Sequence, residues 1–64
     1  MKRDPRELLL LDIAAWYFTF RHDSGERGEA AALKVVELWQ QYDDTYGEAK
    51  TEKELEFRRL YGHP

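Results

Sequence analysis

The chain has no cysteine. That excludes disulfides and thiolate metal sites together, and it fits a reducing, cytoplasmic setting. Ser24 is its single serine, and Thr19, Thr45 and Thr51 are its only threonines. None stands in a GxSxG or comparable frame, so nucleophilic catalysis has little to start from. Of its four glycines, Gly25 and Gly28 lie close together but are too few for a phosphate-cradling loop. The two histidines, His22 and His63, have no HExxH frame and no second histidine at helical spacing. His22 is followed by Asp23, which could orient an imidazole. Both histidines, however, fall at predicted helix ends, where capping or solvent exposure is the ordinary role. A calcium loop counted from Asp43 to Glu54 fails as well, because Glu48 stands where the turn glycine is needed and ligand positions fall on Thr45 and Gly47. A chain of 64 residues cannot close a sizeable pocket and keep a core. The expectation is a non-enzymatic protein with no metal, no cofactor and no small-molecule substrate.

Long apolar runs are also missing. The longest, residues 8 to 20, is about 13 residues with Asp12 inside it, against the ~20 that a membrane-spanning helix needs. Lys2, Arg3 and Arg6 precede it, as in a signal peptide. Asp4 and Glu7 dilute that basic region, however, and HDSGER is not a small-residue cleavage site. There is no repeat, no low-complexity tract and no period-two strand signal.

What is present is helix punctuation. Asp4, Pro5 and Glu7 make an N-cap, an N1 proline and a capping-box acid. They predict a first helix over about 5–21, ending near Arg21 or His22. His22-Asp23-Ser24-Gly25 reads as a turn. A second helix is expected over about 26–46, starting near Ser24 to Glu26. Its seam of Ala32, Val35, Trp39, Tyr42 and Tyr46 is flanked by Ala31, Val36 and Leu38, and Gly47 closes it. Asp43 and Asp44 oppose the dipole near its end, a misfit that can mark a cation or a basic partner but ordinarily means that the helix frays or ends early there. Thr51 with Glu54 forms another capping box, so a third helix should cover about 52–61 and stop at Gly62, with Phe57, Leu60 and Tyr61 on one side. The expected fold is all-α: a hairpin of two long helices plus a short third helix, in a single domain over 1–64.

The first helix carries more apolar surface than one face can bury. Eleven of the thirteen residues from Leu8 to Phe20 are apolar, and only Asp12 and Thr19 form a polar line. Leu10, Ile13, Ala14 and Tyr17 lie opposite that line. Leu9, Trp16 and Phe20 run down one flank, and Leu8, Leu11, Ala15 and Phe18 run down the other. An ordinary surface helix shows an apolar stripe only a little over ~100° wide, and the short third helix cannot cover the excess. The expectation is a protein interface on Leu9, Trp16 and Phe20, with Ile13 and Tyr17 beside them. The partner is a second copy, giving a dimeric four-helix core, or another protein. Trp and Tyr suit such anchors because they bury large area and keep a polar atom available.

Charge gives the rival reading. Residues 37–56 hold seven acids against two bases, while residues 1–22 are slightly basic. The acidic block suits a solvated face or a basic partner surface. Three short helices, with Lys53, Arg58 and Arg59 on the third and a Lys2–Arg3–Arg6 arm, also suggest a small helix-turn-helix-like nucleic-acid-binding regulator. The pI of about 5.3 and the acids Glu52, Glu54 and Glu56 among those bases argue against it.

Overall fold

The computed structural model describes residues 4–47 and 51–62. Lys2, Arg3, His63 and residues 48–50, which carry parts of the readings above, lie outside them. The described chain is all-helical: α1 spans Pro5–His22, α2 spans Glu26–Tyr46 and α3 spans Glu52–Tyr61. α1 begins where Asp4 Oδ1 accepts the Arg6 N–H at 2.9 Å, satisfying one of the free donors of the first turn. It ends with the Asp23 N–H on the Thr19 carbonyl. α3 starts in the same way as α1, with Thr51 Oγ1 accepting the Glu54 N–H at 3.1 Å.

α2 is different. No side chain caps it, and Gly25 takes the N-cap place with φ of 80°, a left-handed conformation natural to glycine. Ser24 therefore has no capping role. The turn is so tight that a Cβ on Gly28 would meet the Asp23 carbonyl oxygen at 2.3 Å. Gly28 is buried for this reason: the first turn of α2 folds back onto the end of α1.

α1 and α2 pack side by side as a hairpin. Leu10 and Ile13 from α1 meet Val35, Leu38, Trp39 and Tyr42 from α2 in one closed cluster. The inward line of α2 is Gly28, Ala31, Val35, Leu38 and Tyr42, with Trp39 beside it. This is also a 3-4-3-4 seam, but turned from the one expected. Ala32 and Tyr46 are only half-buried and Val36 is exposed. The close approach at Gly28 sets that rotation, since only a residue without a side chain can face the turn.

α3 packs alongside α1 and runs in the same direction. Its start is tied to the start of α1 by Lys53 Nζ on Glu7 Oε1 at 2.8 Å. Near its end, the Tyr61 ring meets Tyr17 at 5.2 Å and Phe18 at 6.0 Å. Its inward line is Glu54, Phe57, Arg58 and Tyr61, spaced i, i+3, i+4, i+7. Leu60 stays exposed instead of joining Phe57 and Tyr61 inside, because the polar Glu54 and Arg58 hold the inward positions.

Candidate functional site

α3 is held by polar groups that the hairpin seam lacks. Glu54 is the one buried charged residue among the described residues. Its Oε2 accepts from Arg58 Nε at 3.0 Å, and the Arg58 Nη2 also pairs with Asp43 Oδ1. The guanidinium lies 4.5 Å from the Trp39 ring centroid and 5.9 Å from that of Tyr42, within cation–π range. Burial disfavours the Arg58 charge, but the hydrogen bonds to Glu54 and Asp43 outweigh it and raise its pKa. Asp43 therefore does not fray α2, which runs on to Tyr46: the charge that offsets the dipole misfit comes from α3.

Two buried atoms in this cluster, the Tyr42 hydroxyl and Glu54 Oε1, lack a hydrogen-bond partner of good geometry. Glu54 still acts on the phenol as a nearby acceptor at looser geometry. Burial first, and then Glu54, push the Tyr42 pKa up to about 12. Trp39 completes the dock by donating its Nε1–H to the Tyr61 carbonyl at 3.0 Å. These groups fasten two helices together.

The open surface is apolar. Leu8, Leu11, Trp16, Phe18, Leu33, Val36, Leu55 and Leu60 are all exposed. Single exposed apolar side chains are ordinary, but this many on a small domain is not. On α1 the exposure is lopsided. Leu8, Leu11, Ala15 and Phe18 are all exposed, with Phe18 at 54%. The opposite flank expected to be the interface fares otherwise. Leu9 and Phe20 are half-buried, Phe20 against the Tyr17 ring at 5.8 Å, and only Trp16 remains open, at 36%. Tyr17 is half-buried between Phe20 and Tyr61. Ile13 is 0% exposed and belongs to the hairpin core, so it has no surface to offer a partner.

The second flank, Leu8, Leu11, Ala15 and Phe18, is readable in sequence by its 3-4-3 spacing, but its greater exposure follows only from how the hairpin packs, with Leu9 against the core cluster and Phe20 against Tyr17. On α2, Glu29, Ala32, Leu33 and Val36 line an open, shallow depression of about 380 Å³. Among the described residues no group of three or more His, Asp or Glu could hold a metal ion, and no helix is long and apolar enough to cross a membrane. No family model, no curated protein and no solved structure matches the chain.

Proposed function

We propose that this chain is a non-enzymatic protein–protein interaction module, a small adaptor, regulator or assembly subunit that works through the apolar flank of α1. The observation that carries this reading is the exposure of Leu8, Leu11, Ala15 and Phe18 along one helix edge while α3 occupies the neighbouring groove. Such an edge loses free energy to water until a partner covers it, at roughly 25 cal/mol per Å² of apolar area. The acidic block is a second contact candidate. Asp43 and Glu54 are engaged with Arg58, however, which among the described acids of the block leaves Glu37, Asp44, Glu52 and Glu56 on the open surface.

The helix-turn-helix alternative is weakened at its basic residues. On α3, Lys53 is paired with Glu7, and Arg58 with Glu54 and Asp43, so Arg59 is left among Glu52, Leu55 and Glu56 on the outer side. A steep fall of DNA affinity with salt would restore that alternative, since phosphate contacts release counterions.

The test of the module reading is elution on a sizing column with light scattering, for the chain alone over a tenfold concentration range and in a cell extract. A mass that is a multiple of 7.7 kDa, or co-elution with another protein, is expected. A chain that elutes as a monomer in both settings overturns it.

A further inference from the structure

The exposed flank of α1 is longer than its four apolar residues. Asp4, Leu8, Leu11, Ala15, Phe18 and His22 follow 4-3-4-3-4 spacing, and all six are exposed. That is an unbroken heptad seam along the whole helix, the pattern that packs knobs into holes against another helix. Among the described residues nothing covers Leu8, Leu11 or Ala15: α2 takes the face of Leu10, Ile13 and Ala14, and α3 reaches the seam near its ends, at Asp4 and Phe18.

The seam is also complementary to itself when reversed. Its midpoint lies level with Ile13. An antiparallel copy places Leu8 against Phe18 of the second copy, Leu11 against its Ala15, and Asp4 against its His22. Each layer joins a large side chain to a smaller one, or an acid to a potential cation. A parallel copy does the opposite. It sets Asp4 on Asp4, stacks Phe18 on Phe18 and leaves a gap between the two Ala15 methyl groups. Antiparallel pairing also brings each positive helix N-terminus beside a negative C-terminus.

Resting on the module reading above, we infer that the occupant of this flank is a second copy of the chain, with the two α1 helices antiparallel about a two-fold axis near the level of Ile13. The contact is isologous, so it closes as a dimer and does not propagate. One residue opposes it: Asp12 flanks the seam beside the axis and meets its own copy, a like-charge contact. This is a feature of the proposed pairing that can be tested, because removing that charge should tighten the dimer.

The absence of cysteine makes the geometry directly testable. Leu8→Cys and Phe18→Cys are prepared separately, shown to be helical by circular dichroism, mixed and oxidised. Two Leu8 positions in the antiparallel dimer lie about 15 Å apart along the axis at 1.5 Å per residue, beyond the ~7 Å between Cα atoms that a disulfide tolerates. The expected product is the mixed Leu8→Cys/Phe18→Cys dimer, with little of either homodimer. Alongside it, Leu11→Glu should raise the dimer dissociation constant at least about tenfold, as loss of a central anchor does, and Trp16→Ala should change it less than about twofold. Asp12→Asn should lower it.

Homodimeric disulfides in equal or greater yield than the mixed one would overturn the antiparallel pairing. So would a dimer lost on Trp16→Ala but indifferent to Leu11→Glu, and in that case the module reading stands with its interface on the other flank. A chain that is monomeric alone but co-elutes with a protein from an extract overturns the second copy as occupant and keeps the module. A chain monomeric in both settings removes both.

Discussion

The contact between α1 and α2 and the dock of α3 are built from different materials. The hairpin seam is apolar carbon: Leu10, Ile13, Val35 and Leu38 are closed to solvent with no charge among them. The α3 dock joins Glu54, Arg58, Asp43, Lys53 and the Trp39 indole N–H to a set of ring contacts. Burial of apolar surface is non-directional and is not weakened by ionic screening, so the seam tolerates a range of conditions. Charged hydrogen bonds demand geometry and respond to pH and ionic strength. A ten-residue helix that buries only Phe57 and Tyr61 against the core depends on those charged bonds for much of its attachment. The expectation is that the hairpin stands while α3 loosens, whereas α3 has nowhere to dock without the hairpin.

The most severe way to probe that asymmetry is Ile13→Ala, which leaves a cavity in the seam. A loss of about 2–5 kcal/mol is expected, read as a thermal melt in which all three helices go together. Alkaline pH comes next, acting at Tyr42, which lies where seam and dock meet. The phenol is neutral in the folded chain until about pH 12, whereas unfolded it ionises near 10. Its contribution is thus complete below pH 10 and is lost as pH rises toward 12, on the order of 2–3 kcal/mol. Tyr42→Phe should flatten this part of a pH-dependent denaturation series, and an unchanged slope would place the alkaline loss elsewhere.

Arg58→Gln sharpens the comparison from the other side. It leaves Glu54 buried without its cation, which costs about 2 kcal/mol once the 30% exposure of the Arg58 side chain is allowed for. Hydrogen exchange should quicken across 52–61 while the core of α2 stays protected. Equal loss of protection in both regions would show one cooperative unit. Lys53→Met should have the smallest effect, below about 0.5 kcal/mol, because both partners of its ion pair with Glu7 are substantially exposed. High salt should reproduce it in the parent chain.

The seam was legible in sequence because apolar periodicity reports it directly. The caps at Asp4 and Thr51 were legible because a side-chain acceptor next to a free N–H is a local matter. The rotation of α2 was not, since it hangs on the space that Gly28 leaves for the Asp23 carbonyl, a contact with no periodic signature. The dock was hidden for a different reason. Glu54 and Arg58 look like an ordinary solvated i, i+4 pair, and only their alignment with Phe57 and Tyr61 turns them inward. On α1, the sequence revealed a surplus of apolar surface but not which flank would remain open. Choosing between Leu9, Trp16, Phe20 and Leu8, Leu11, Phe18 required knowing how the core packs: Leu9 lies against the hairpin cluster and Phe20 against Tyr17, whereas α3 touches the second flank at Phe18 and leaves Leu8 and Leu11 exposed.

The Trp39 indole, bonded to the last turn of α3 and stacked under Arg58, has a practical consequence. The chain's only other tryptophan, Trp16, sits partly in water on the opposite flank of α1. The two residues are thus separate optical channels. In a Trp16→Phe background, emission wavelength and quenching report Trp39, where the hairpin core meets α3, and in a Trp39→Phe background they report the wetting of the flank that carries Trp16. Each half of the molecule comes with its own built-in lamp.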